Sequence, residues 1–110
     1  MMACRTAPIL NPSVTLPEAK TEAETAHAIK LAGARLGWEM VDDGPGLMTG
    51  TLHLRKHVAV VEIHYDADSY QIQYKDSEAL MHQGDKIHRN YNRWVNNLSE
   101  EIKSALGYGG

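Results

Sequence analysis

Apolar and polar positions along the chain fall into two periods. Between residues 23 and 36 the apolar positions step by three and four: Ala23, Ala26, Ile29, Gly33, Leu36. That is one face of an amphipathic helix, and its small side chains let it lie close to whatever it packs on. Thr21 and Glu24 form a capping box at its start, in which the Thr hydroxyl takes one orphan amide and the Glu reaches back for another. Thr15-Leu16-Pro17-Glu18 offers a competing, earlier start. Gly37 supplies the left-handed residue that ends the helix.

From residue 38 the period changes to two. Trp38-Glu39-Met40-Val41 alternates. Asp42 to Gly46 reads as a turn. Met48, Gly50, Leu52 and Leu54 then share one face, with Thr49, Thr51 and His53 on the other. Arg55-Lys56 reverses the chain, and Ala59, Val61, Ile63 and Tyr65 are again in phase. After Asp66 to Ser69, Tyr70, Ile72 and Tyr74 alternate with Gln71, Gln73 and Lys75. That last run predicts a strand buried on one side.

A one-residue slip would flip a strand's faces, so the hairpin registers test one another. Closing the second hairpin at Arg55-Lys56 puts Leu52 opposite Ala59 and Met48 opposite Ile63. Closing the third at Ala67-Asp68 puts Tyr65 opposite Tyr70 and Ile63 opposite Ile72. In the first hairpin, Met40 is expected opposite Met48, and Trp38 opposite Gly50, with the indole lying over the glycine. All three put apolar residues on one face.

Asp76 to Gly84 reads as a linker. A second helix is expected from an N-cap at Asp85, with Ile87, Tyr91, Trp94, Leu98, Ile102 and Ala105 in phase and Gly107 as its stop. The predicted fold is α+β, in the order α-β-β-β-β-α. A four-stranded antiparallel meander sheet carries both helices on the face bearing Met48, Leu52, Val61, Ile63, Ile72 and Tyr74. Trp94 is expected in the core between helix and sheet. The domain spans 21–106. Residues 1–20 read as an attachment residue and a flexible tether containing Pro8, Pro12 and Pro17, with a random-coil reach of roughly 20–25 Å. Residues 107–110 form a short tail.

Composition narrows the function. The chain has 110 residues, 43% hydrophobic and 23% charged, with a net charge of −3. That is a globular balance with one core, and an acidic total argues against a general nucleic-acid binder. No apolar run approaches the ~18 residues that span a bilayer. With one cysteine there is no internal disulfide and no cysteine-rich zinc site.

Six histidines raise a metal hypothesis. His53 and His57 have a ligand-like spacing, but a hairpin turn separates them, and His53 and His64 point outward at opposite ends of that hairpin. The rings are not expected to converge on one ion. Asp42, Asp43, Asp66 and Asp68 lie in turns, where Asp is favoured by local backbone bonds. No calcium loop, phosphate-binding glycine loop or nucleophile elbow is present. Cys4 has no fixed histidine partner. No catalytic residue and no cofactor are therefore assigned.

The stretch IHRNYNRWVNNL, residues 87–98, is the most distinctive. Off its apolar stripe lie His88, Arg89, Asn92, Arg93 and Asn96, the candidate partner-binding residues. Asn is a poor helix former, so its abundance here calls for a reason. Either this polar face is solvated and bonds the linker at Asp76-Ser77, or it reads a partner.

The start of the chain adds the last clue. Ala3-Cys4 has the small-then-Cys ending of the lipobox in bacterial lipoproteins, where the thiol is diacylated. Taken with Cys4-Arg-Thr-Ala-Pro, Ala28-Ile29, Gly37-Trp38, Tyr74-Lys-Asp-Ser77 and Ile87-His-Arg-Asn-Tyr-Asn-Arg-Trp94, the chain resembles a family of small bacterial lipoproteins of uncharacterised function. The order of elements is also similar to the repeated domains of a lipoprotein subunit of the outer-membrane β-barrel assembly machinery. The resemblance implies a lipid on Cys4, a signal segment upstream of it in the gene, and a monomeric, non-enzymatic domain on the periplasmic face of the outer membrane. Arg rather than Asp at residue 5 resembles lipoproteins sorted to that membrane. Its partners would be the membrane and another envelope protein. The alternative is a periplasmic metal- or small-ligand binder using histidines.

Overall fold

The computed structural model describes residues 5–108. Its elements, in chain order, are β1 (Thr6–Pro8), β2 (Ser13–Thr15), α1 (Glu22–Leu36), β3 (Trp38–Asp42), β4 (Leu47–Leu54), β5 (His57–Tyr65), β6 (Ser69–Glu78), β7 (Lys86–His88) and α2 (Arg89–Ala105). The fold is α+β. A five-stranded antiparallel sheet has the order β2-β6-β5-β4-β3, and β1 and β7 form a separate two-stranded sheet. The expected meander of four strands is there as β3 to β6, but the chain start adds a fifth strand to it.

Local signals act where the sequence places them. Thr21 and Glu24 make both halves of the capping box, and Gly37 ends α1 at φ 86°. Leu52 faces Ala59, Met48 faces Ile63, Ile63 faces Ile72 and Tyr65 faces Tyr70. The buried residues Met48, Leu52, Ala59, Val61, Ile63, Tyr70 and Ile72 form one cluster with Ala28, Ile29 and Ala32 of α1 and Tyr91, Val95, Leu98 and Ile102 of α2.

Four expectations are corrected. In the first hairpin Trp38 faces Leu52 and Met40 faces Gly50, two residues from the expected register. The shift is even, so the faces are kept. The side chain over Gly50 is Met40, whose sulfur lies 2.9 Å from where a Cβ would stand. The same thioether fills the space at Gly33, where an added Cβ would meet Met40 Cγ at 2.7 Å. Two glycines therefore make room for one flexible side chain.

Helix α1 is rotated from its expected phase. It buries Thr25, Ala28, Ile29, Ala32 and Gly33, while Ala23 and Leu36 are exposed. Helix α2 starts at Arg89, capped by His88 rather than Asp85, and Ile87 lies in β7. Its buried row is Tyr91, Val95, Leu98, Ser99 and Ile102. Trp94 is only half-buried. It sits at the rim beside Leu36, Trp38, Leu52 and Asn97, with its ring 6.0 Å from that of His57. Val95 occupies the core position, since the row Tyr91-Val95-Leu98-Ile102 is the one that keeps i, i+4, i+7, i+11.

The fourth correction concerns the tether. Residues 5–20 are part of the fold. Thr6, Ala7 and Pro8 pair with His88, Ile87 and Lys86, and Ser13, Val14 and Thr15 pair with Gln71, Tyr70 and Ser69. Leu16 is buried in the core. Asn92 closes the arrangement: its Nδ2 donates to Pro8 O at 2.9 Å, and its Oδ1 accepts from Leu10 N at 2.9 Å. Asn11 Oδ1 accepts from Tyr74 N. A segment so bonded has no 20 Å excursion left.

A bulge between β5 and β6 keeps a charge out of the core. Val61 faces Tyr74, but Val60 faces Asp76, so Lys75 is the extra residue. In an unbroken register Asp76 would stand inward opposite Ala59, which has no exposed surface. The bulge puts Ser77 there instead, and Ser77 Oγ lies 2.8 Å from Tyr74 Oη.

Two buried phenols give a direct test of core polarity. Tyr70 Oη donates to Ser99 O at 2.9 Å and accepts from Ser99 Oγ at 2.9 Å. Tyr91 Oη is buried with no partner among the described residues. Burial pushes the Tyr70 phenol up to about 12 and raises that of Tyr91 as well. In urea unfolding, Tyr70→Phe should cost about 1–2 kcal/mol, because it leaves Ser99 groups unpaired. Tyr91→Phe should be neutral or stabilising by up to ~1 kcal/mol, since it removes a desolvated hydroxyl that bonds nothing. Equal losses in the two variants would refute this assignment.

Candidate functional site: a cationic end of the domain

The charges of this acidic chain are sorted along its strands. Lys30, Arg35, Lys75 and Lys103 each form an ion pair, and Lys20 lies over the Tyr108 ring, 5.1 Å from its centroid. The remaining cations, Arg5, Arg55, Lys56, Lys86, Arg89 and Arg93, form no ion pair among the described residues. Five of the six lie at one end, and Lys86 stands two residues before His88 in β7, opposite Pro8.

Three elements bring them together. Arg5 O accepts from Arg89 N at 2.9 Å, which fixes residue 5 against the start of α2. Arg93 follows one turn later. Arg55 and Lys56 form the tip of the β4–β5 hairpin, next to His57, and His57 Nδ1 donates to Ala79 O at 2.9 Å. His88 lies close to three of these cations. Burial lowers its pKa, and His57, Arg89, Arg5 and Arg93 lower it further. A neutral His88 is what the fold uses, because its Nδ1 accepts from Asn90 N at 3.0 Å to cap α2.

Backbone strain is concentrated at the same end. Arg55, Ala79 and Met81 all have positive φ, at 58°, 60° and 56°. None is glycine, so each is held in a conformation that side chains disfavour. At the hairpin tip Arg55 and Lys56 are exposed. Exposed apolar residues lie among the cations: Leu54 at 43% and Met81 at 46%. Glu78, across from Val58, and Asp85, beside Lys86, are the acidic side chains nearest this end in the strand layout.

The other end is acidic. Asp42 and Asp43 begin the β3–β4 turn and Asp66 and Asp68 form the β5–β6 turn. Burial raises the Tyr65 pKa, and Asp42 and Glu22 raise it further against an opposing effect of Lys30. Strand β5 runs from His57 at the cationic end to Tyr65 at the acidic one, about 26 Å at the usual strand rise.

Of the residues expected to bind a partner, His88, Arg89 and Arg93 belong to the cationic end. Asn92 does not serve a partner, because both ends of its amide hold the chain start. Asn96 is exposed on α2. The linker bond expected from this helix to Asp76-Ser77 is replaced by local ones, Asp76 Oδ1 accepting from Ser77 N and Ser77 Oγ meeting Tyr74 Oη. Sequence reasoning missed Arg5, Arg55 and Lys56 as members of the group. The available signal was that each adjoins a chain start or a reversal, but only the β1–β7 pairing brings them to α2. Cys4 lies outside the described residues.

The histidines are scattered. His64 Nε2 is 3.5 Å from Glu62, His82 Nε2 donates to Gly84 O, and no three His, Cys, Asp or Glu among the described residues could hold one ion. An open depression of about 440 Å³ lies between Pro8, Asn11, Tyr74 and Asp85, with Asp85 as the carboxylate in its lining and His82 beside it, its ring 4.6 Å from that of Tyr74. No protein-family model, no curated protein and no solved structure matches this chain. No helix is long and apolar enough to cross a membrane among the described residues.

Proposed function

We propose that this protein is a non-enzymatic, lipid-anchored domain of the bacterial cell envelope. Cys4 carries the lipid, and the domain stands on the periplasmic face of the outer membrane, where it binds or scaffolds another envelope component. The observation that supports this reading most is the fixation of Arg5. The residue that follows the proposed attachment point is hydrogen-bonded to Arg89, so an anchor on Cys4 would hold the domain by one defined end. Ala3-Cys4 and the resemblance to small lipoproteins supply the chemistry of attachment. Only the thiol can form the diacylglyceryl thioether, and two or three acyl chains hold a protein firmly where one does so marginally.

The test is fractionation of the full-length gene product in a bacterium. The wild-type protein should sediment with outer membranes, with the acyl mass on Cys4 in mass spectrometry. Cys4→Ser should release it to the soluble fraction or arrest its processing. A wild-type protein that stays soluble with an unmodified thiol would overturn the reading.

A further inference from the structure

We infer that the cationic end is a docking face for the anionic headgroups of a lipid bilayer, and that the domain stands on the membrane with its acidic end outward. This rests on the lipid-anchored reading for its orientation, but on separate observations for its chemistry. The first is the selectivity of pairing. In a protein of net charge −3, an acid could have been placed beside every cation. Five of the eleven Lys and Arg have an ionic or aromatic partner; of the six that have none among the described residues, five are gathered at one end and Lys86 stands two residues before His88 in β7. Their mutual repulsion goes unrelieved inside the molecule and is relieved by a negative surface.

The second observation is the kind of cation. Arg5, Arg55, Arg89 and Arg93 make four of the six, and guanidinium groups match phosphate oxygens in a two-pronged geometry that ammonium groups do not. The third is the apolar component. Leu54 and Met81 are exposed beside the cations, which suits the boundary between headgroups and acyl chains and would be out of place in a site for a wholly polar ligand. The fourth is the hairpin tip, where a two-residue turn leaves Arg55 and Lys56 both exposed. The acidic end, about 26 Å away along β5, would be repelled by the same surface. It lies beyond a Debye length, so the two ends act independently at physiological salt.

The experiment uses the full chain with Cys4 unmodified, sedimented with vesicles of phosphatidylcholine alone and of phosphatidylcholine with a third phosphatidylglycerol. Binding is expected only to the anionic vesicles and should weaken as salt is raised. Reversing two arginines, Arg89→Glu with Arg93→Glu, should lower the partition coefficient by at least about 30-fold, taking roughly 1 kcal/mol for each basic residue at an anionic surface. Arg55→Glu with Lys56→Glu should do the same from a different element, so a folding defect in one pair does not decide the matter. Lys75→Glu with Lys103→Glu makes the same change in net charge elsewhere and should stay within about threefold of wild type. Equal binding to both vesicle types, or undiminished binding by both end variants, would overturn the docking face. So would capture by poly-glutamate without vesicle binding, which would make the partner an acidic polypeptide. Vesicle binding by a chain whose Cys4 proves unmodified in cells would sink the anchor alone, and an acylated chain without vesicle selectivity would sink the docking face alone.

Discussion

Leu16→Ala should destabilise the domain by about 2–4 kcal/mol, the usual range for truncating a buried leucine. Leu16 is 5% exposed and belongs to the same core cluster as Tyr70 and Ile72. Its amide donates to Asp68 O at 2.8 Å, and four residues on, Lys20 N donates to Ala67 O at 2.7 Å. These bonds hold the segment over the β5–β6 turn, so the cavity left by the missing methyls cannot close by a loop simply moving in. If the segment were a free linker, the same change would cost nothing. Urea unfolding separates the two cases, and a loss under ~0.5 kcal/mol would return residues 5–20 to the status of a tether. The result matters for the proposed function, because residues 5–20 held in the fold leave no long linker between the domain and the proposed attachment point.

A second large loss is expected from Gly46→Ala, about 2–4 kcal/mol. Gly46 has φ 69°, where a Cβ costs roughly 1–2 kcal/mol. The new Cβ would also stand 2.9 Å from Tyr65 O, a backbone atom. That carbonyl has little freedom to withdraw, since Tyr65 N donates to Gly46 O at 2.9 Å and Tyr65 faces Tyr70 in the sheet. Gly84 supplies the control. Its φ is 61°, with nothing within 4 Å of an added Cβ, so Gly84→Ala should show the strain alone, about 1–2 kcal/mol. Thermal or urea unfolding of the two variants isolates the clash as their difference. Identical losses would mean that the β3–β4 turn moves aside freely.

These cases mark what could be read from residues alone. Hairpin β4–β5 was legible to the residue and β5–β6 as far as Tyr74, because long alternating strands with short turns admit one register in which the apolar faces agree; the bulge at Lys75 and the continuation of β6 to Glu78 were not. The capping box at Thr21 and the stop at Gly37 were legible because each is a local chemical device. The phase of α1 was not. Apart from Ile29, its buried row is Ala, Gly and Thr, and with side chains that small several faces have nearly the same apolar character. Trp94 misled for the opposite reason, since the largest apolar side chain drew the stripe towards itself while Val95 took the core position. Strands β1 and β2 have three residues each, too short for any period, and their partners are distant in sequence. The cationic end was half legible: His88, Arg89 and Arg93 stood out by composition, whereas Arg5, Arg55 and Lys56 joined them only through tertiary pairing.

The β1–β7 pairing also sets the order of events in the life of the chain. Thr6 meets His88, and Asn92 holds Pro8 and Leu10. The pairing needs residue 88, and the bonds of Asn92 need residue 92, to have emerged from a ribosome or crossed a translocation channel. The first strand is therefore the first part of the domain to be made and among the last to be locked. Loop closure over such a separation is slow to be rewarded, because most of the chain must be ordered before the contact exists. Until residues 86–92 are available β1 has no partner, and formation of β7 with the first turn of α2 ends that interval.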